Sequence, residues 1–120
     1  ALAARAKAWP QTPEGFFHAI NDLKAALQYA ESDPLIWWEL GLILFRTGNY
    51  PAALEAFKEV NRLDPTSKEA RGFRHLAAAK VYVGKKMFGE AKQELEALLA
   101  DFPNHPAAME GIREIERLME

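Results

Sequence analysis

The sequence predicts an all-α fold built from antiparallel helix-turn-helix units stacked side by side. Three observations carry that expectation. The chain matches itself when displaced by 38 residues, its apolar residues recur at helical spacing, and Pro, Gly and Asn punctuate it where helices would begin and end.

The internal match comes first. At a displacement of 38, Leu44 falls on Tyr82, Tyr50 on Phe88, Ala53 on Ala91, Phe57 on Leu95, Val60 on Leu98 and Pro65 on Pro103, while Gly41 falls on Ala79. Displaced backward by 34, Tyr50 falls on Phe16, Ala53 on Ala19, Leu54 on Ile20, Phe57 on Leu23 and Val60 on Ala26. An ordered set of like residues of this length marks a repeated unit, with a partial copy at the N-terminus.

Each unit reads as two helices. In residues 34–67, Asp33 is an N-cap and Pro34 the first helical residue. Trp37, Leu40, Leu44 and Phe45 follow at helical spacing, and Thr47-Gly48-Asn49 is the stop and turn. A second helix carries Ala53, Leu54, Phe57 and Val60 and ends near Asp64-Pro65, since a residue before proline is pushed out of the helical region. Thr66-Ser67-Lys68-Glu69 reads as a capping box that starts the next helix at about Ser67 and lets it run to about Val83. Gly84-Lys85-Lys86 makes the turn, and a helix from about Phe88 to Ala100 closes the unit before Phe102-Pro103. Pro106 starts a last helix with Met109, Ile112, Ile115 and Met119 on one stripe. At the N-terminal end, Trp9-Pro10 breaks the pattern. Residues 1–9 read as a short or irregular helix, and a helix capped by Thr12-Pro13 spans about 13–31. The total is seven helices at most.

The unit at 34–67 resembles the tetratricopeptide repeat. Trp37, Leu40, Gly41, Ala53, Phe57 and Pro65 stand at the family's spacings in a stretch of the family's 34-residue length, and only the Tyr-like position departs, with Leu44 there and Phe45 beside it. Small residues at Gly41 and Ala53 let the two helices approach closely. Residues 68–105 form a divergent repeat with His75 in place of the Trp and a first helix about one turn longer. Residues 1–33 form a partial, irregular repeat, and 106–120 a capping helix. The resemblance implies a right-handed α-solenoid whose concave groove is lined by the first helix of each hairpin. Carried over residue by residue, that groove is Leu35, Trp38, Leu42, Phe45 and Arg46, then Phe73, Leu76, Lys80 and Val83. Family members that clamp chaperone tails by their carboxylates place Lys and Asn where this chain has Trp38 and Leu42, so the resemblance argues against that specialisation. An apolar groove with a basic flank suits an amphipathic helix or an apolar peptide.

Composition narrows the function classes. Hydrophobic residues make up 49% and charged residues 27% of 120 residues, enough for one self-sufficient core. With no cysteine, disulfides and thiol catalysis are excluded and the compartment stays open, with a slight lean to the cytoplasm. His18, His75 and His105 lack metal-ligand spacing, and Ser32 and Ser67 sit at helix boundaries, so neither a metal site nor a nucleophilic triad can be assembled. No glycine-rich phosphate loop is present and no cofactor is expected. The net charge is −2 but unevenly spread: residues 64–92 hold seven cations against three anions, residues 93–120 two against seven. Nucleic acid is disfavoured because aromatics do not interleave with the basic run, and no apolar run reaches the ~18 residues of a membrane span. The chain opens on Ala1, which reads as a piece or processed form of a longer protein, and ALAARAKAW is too short and charged for a signal peptide.

The expected function is therefore a protein-protein interaction scaffold, with another protein or peptide as partner and self-association through the basic and acidic ends as a variant. Two alternatives stand beside it: a structural or oligomerisation module whose groove is filled by its own N-terminal segment, within residues 1–31, and a regulatory part of a larger enzyme. Trp37 is expected in the core and Trp38 facing the partner. Trp9 either staples the N-terminal segment down or marks a contact surface.

Overall fold

The computed structural model describes residues 6 and 9–120. Six helices lie among them: α1 (Pro13–Leu27), α2 (Pro34–Arg46), α3 (Tyr50–Leu63), α4 (Lys68–Gly84), α5 (Phe88–Asp101) and α6 (Pro106–Leu118). Each packs chiefly on its neighbours in the chain. The resulting stack measures 48 × 31 × 23 Å, and its radius of gyration of 15.1 Å exceeds the roughly 14 Å of a compact domain of this length.

Local chemistry fixes the helix starts. Thr12, Asp33, Asn49 and Ser67 each accept a bond from a first-turn amide, and four of the helices carry proline in their first turn. Ser67 alone caps α4; Thr66 turns instead to Asp64, donating its hydroxyl to Oδ1 at 2.7 Å, so the box expected from Thr66 to Glu69 gives way to a single cap. His105 caps α6, its Nδ1 accepting from the Ala108 amide at 3.2 Å.

The two complete hairpins are in register with the sequence displacement. α3 and α5 begin and end 38 residues apart, and α2 and α4 end 38 residues apart. α4 has 17 residues against 13 in α2, the extra turn lying at its start. Between α2 and α3, Gly48 takes φ +83°; its amide donates to the Phe45 carbonyl and that of Asn49 to Leu44, the paired bonds of a Schellman stop. Between α4 and α5 the same two bonds run from Lys86 to Val83 and from Met87 to Tyr82, with Lys86 at φ 59°. Gly84, which the sequence places in this turn, is instead the last residue of α4.

The core falls into two clusters. The first gathers Leu23 of α1, Ile36, Leu40 and Leu44 of α2, Ala53 and Phe57 of α3, and Ala77 of α4. The second gathers Ala79 of α4, Ala91, Leu95 and Leu98 of α5, and Ala108 and Ile115 of α6. At the α2–α3 crossing a side chain on Gly41 would lie 2.7 Å from Phe57 Cε1, so the absence of one lets the sealed Phe57 ring lie against the α2 backbone.

Three expectations need correcting. α1 ends at Leu27, not near 31, because residues 28–33 are used to reverse the chain: the amides of Tyr29 and Ala30 reach back to Ala26, and that of Asp33 to Ala30. Trp37 packs against the first core but is only half-buried, since its indole N–H reaches out to the Glu31 carbonyl at 2.8 Å. On α6 the apolar stripe is buried only at its centre: Ile115 is sealed and Ile112 half-buried, while Met109 and Met119 are exposed because no further helix among the described residues packs on its outer side. The short helix read in residues 1–9 lies mostly outside the described residues; Ala6 is helical and buried in the first core. Trp9 is held on α1, stacked on His18 at 4.4 Å, with its indole N–H donated to the buried Asp22 carboxylate at 2.7 Å.

Candidate functional site

The groove residues read from the sequence lie on α2 and α4. Phe73 of α4 is their hub. Its ring meets Trp38 at 5.3 Å, Phe45 at 6.0 Å and the buried Phe57 at 5.4 Å, centroid to centroid. Trp38 also meets Phe57 edge-on at 5.6 Å. Edge-to-face contacts at these separations stabilise beyond the area they bury. Trp38 is thus half structural: part of its ring joins the two hairpins and part remains accessible, which tempers the expectation that it faces a partner outright.

The other residues fall into two groups. Leu42, Leu76 and Val83 are half-buried. Leu35 is 69% exposed, and Arg46 and Lys80 are exposed at the groove edge. Arg46 makes no ion pair among the described residues. Lys80 holds its ammonium 5.9 Å from the centroid of the Tyr50 ring, which in turn meets Phe45 at 5.1 Å. Tyr50 is the site residue that the sequence reading missed. It opens α3, outside the helices that line the groove, and its one signal was the aromatic alignment with Phe88 and Phe16.

Beside Phe73 lie two hollows that share Leu76, one between α4, α5 and the α5–α6 turn and one between α4 and α6. One, of about 150 Å³, is walled by Gly72, Phe73, Leu98, Phe102 and His105. The other, of about 110 Å³, is walled by Lys80 and Val83 of α4 and Ala107, Gly111, Glu114 and Leu118 of α6. The floor is mainly apolar, with Glu69, Lys80 and Glu114 as charged edges. The α6 residues were not read as part of this surface, because nothing local announces which side of a closing helix meets α4.

Two polar pairs join α4 to α5. His75 Nδ1 pairs with Glu94 Oε2 at 2.7 Å between α4 and α5, and Arg71 Nε with Asp101 Oδ2 at 3.4 Å. No group of three metal-ligating side chains is found among the described residues, and none of the described helices is long and apolar enough to cross a membrane.

Helices packed in succession as repeated hairpins define an all-α helical-repeat solenoid. Family models described as tetratricopeptide repeat match residues 18–68 and residues 44–113. The chain belongs to the tetratricopeptide repeat family. Among solved structures it is similar to the first such domain of Spaghetti (RPAP3) bound to the HSP90 peptide SRMEEVD, with 18% identity, 98% of this chain and 90% of that chain covered, and a TM-score of 0.72. It is also similar to the second domain of human RPAP3 in complex with the HSP70 peptide SGPTIEEVD, at 19% identity, 96% and 92% coverage and a TM-score of 0.70. The Sgt2 domain from Aspergillus fumigatus matches at 19% identity, 98% and 76% coverage and a TM-score of 0.66.

Proposed function

We propose that this chain is a non-catalytic scaffold that receives an apolar peptide or amphipathic helix of a protein partner along the furrow formed by α2, α4 and α6. The observation that carries this reading is the run of apolar residues along α2 and α4, with Leu35 exposed and Trp38, Phe45, Phe73 and Leu76 only half-buried, beside the hollows that share Leu76. Grouped, accessible apolar side chains mark interaction sites in folded monomers. The similar domains bound to SRMEEVD and SGPTIEEVD support a peptide as the occupant. Their peptides end in acidic residues, whereas Trp38 and Leu42 stand here where clamp members of the family place Lys and Asn. The peptide accepted here is therefore mainly apolar, with acidic residues only where Arg46 and Lys80 reach.

Groove filling by the chain's own N-terminal segment is the weaker reading, because Trp9 is engaged on α1 by His18 and Asp22; residues 1–5, 7 and 8 of that segment lie outside the described ones. Leu35→Asp and Leu42→Ala test the site. Leu35 contributes little to the core, so its variant should keep the melting temperature while weakening partner capture by at least about tenfold, the equivalent of ~1.4 kcal/mol. Trp38→Ala should weaken both capture and folding. A partner retained equally by Leu35→Asp and Leu42→Ala would move the site elsewhere.

A further inference from the structure

α4 presents a second face to solvent, about 180° around the helix from the groove line at 100° per residue. Arg74, Ala78, Val81, Tyr82 and Lys85 follow one stripe there, and with Leu54 and Lys58 of α3 and the His75–Glu94 pair they wall a hollow of about 320 Å³. Its floor is apolar and its rim is cationic. Arg74 and Lys85 make no ion pair among the described residues. Lys58 has only Glu55, in an exposed pair at 3.5 Å on its own helix, a kind of contact that holds a side chain weakly. Glu94, the acidic wall residue, is already engaged by His75.

We propose that this hollow is a second binding site, for a segment of a protein partner that carries acidic residues on both sides of an apolar centre. Arg74 and Lys85 stand eleven residues apart on one helix, roughly 16 Å, which about five residues of extended chain span. The cations would meet the flanking carboxylates, and Leu54, Ala78 and Val81 the apolar centre. Charge complementarity of this sort sets partner choice and speeds encounter. Phosphate is the poorer fit: the backbone amides of α4 here are consumed within the helix, and the hollow adjoins the helix's carbonyl end, whose partial charge is negative.

The test is a titration of the ¹⁵N-labelled chain with the synthetic peptide Asp-Glu-Leu-Leu-Phe-Glu-Asp, followed by amide shifts and by anisotropy of a labelled copy. The expected shifts cluster on Leu54, Lys58, Arg74, Ala78 and Lys85. Arg74→Glu with Lys85→Glu should raise Kd at least about tenfold, and so should raising NaCl from about 50 to about 300 mM. Because Arg74 is half-buried, Lys58→Glu with Lys85→Glu, both exposed, provides the same test without risk to folding. Leu42→Ala should leave Kd unchanged. Shifts that cluster on Trp38, Phe73 and Leu76, a Kd indifferent to both charge-reversed pairs, no binding up to about millimolar peptide, or displacement of the peptide by inorganic phosphate or a short oligothymidine at comparable concentration would each overturn the proposal.

Discussion

The turns within the α2–α3 and α4–α5 hairpins share one backbone and differ in residues, so one can be transplanted onto the other. At the first, Gly48 occupies the left-handed position and Asn49 caps α3. At the second, Lys86 is held at φ 59° and Met87 stands at the N-cap with no side-chain bond. The cap backbones are nearly identical, φ −85° and ψ 71° at Asn49 against φ −93° and ψ 71° at Met87. A side chain in the left-handed region costs about 1 kcal/mol that glycine avoids. A capping Asn contributes about 0.5–2 kcal/mol, and the lower part of that range applies because the bond from Ala52 to Asn49 is long at 3.5 Å. Lys86→Gly with Met87→Asn should therefore stabilise the domain by about 1.5–2 kcal/mol. Unfolding entropy of about 2.1 cal/mol/K per residue gives about 0.25 kcal/mol/K for 120 residues, so the melting temperature should rise by about 6–8 °C. Differential scanning calorimetry of both single variants and the pair measures this. A lower melting temperature for Lys86→Gly, or no gain in the pair, would refute the claim that the second turn stores backbone strain.

Four further outcomes follow from the packing. Gly84→Ala, helical and with open space around the missing side chain, should add about 0.5–1 kcal/mol in urea unfolding. Gly41→Val should lower stability by about 1–3 kcal/mol, since its side chain would collide with the sealed Phe57 ring, and Phe57→Ala by about 3–5 kcal/mol through the cavity it leaves. Trp9→Phe keeps the ring but withdraws a donor from the buried Asp22 carboxylate, which should cost about 1–3 kcal/mol and loosen hydrogen-exchange protection in α1 first. His105→Ala should cost about 0.5–2 kcal/mol while His105→Asn restores most of it, a contrast readable from chemical denaturation.

Helix starts were legible because they are written in single residues: Asp33-Pro34 and Ser67 act on amides two or three positions away. Helix ends were less so. Gly84-Lys85-Lys86 reads as a turn on its glycine, yet α4 continues through Gly84 because the antiparallel register with α5 fixes where the chain reverses, and Lys86 bears the strain. The groove was legible on α2 and α4 as residues at helical spacing, but their meeting at Phe73 and the reach of Lys80 to Tyr50 depend on how one hairpin lies on the next. The stripe of α4 opposite the groove left only a charge excess in the sequence. Its apolar floor is assembled from two helices, so no local pattern announced it.

Ala77 and Ala79 sit two residues apart on α4 yet belong to different cores. α4 is thus a party wall between two halves that otherwise hold together by their own contacts. Protection against exchange should be greatest along this wall and decay toward α1 and α6. A ligand laid across Trp38, Phe73 and Leu76 bridges the wall from one side. It would act as a splint across the two cores.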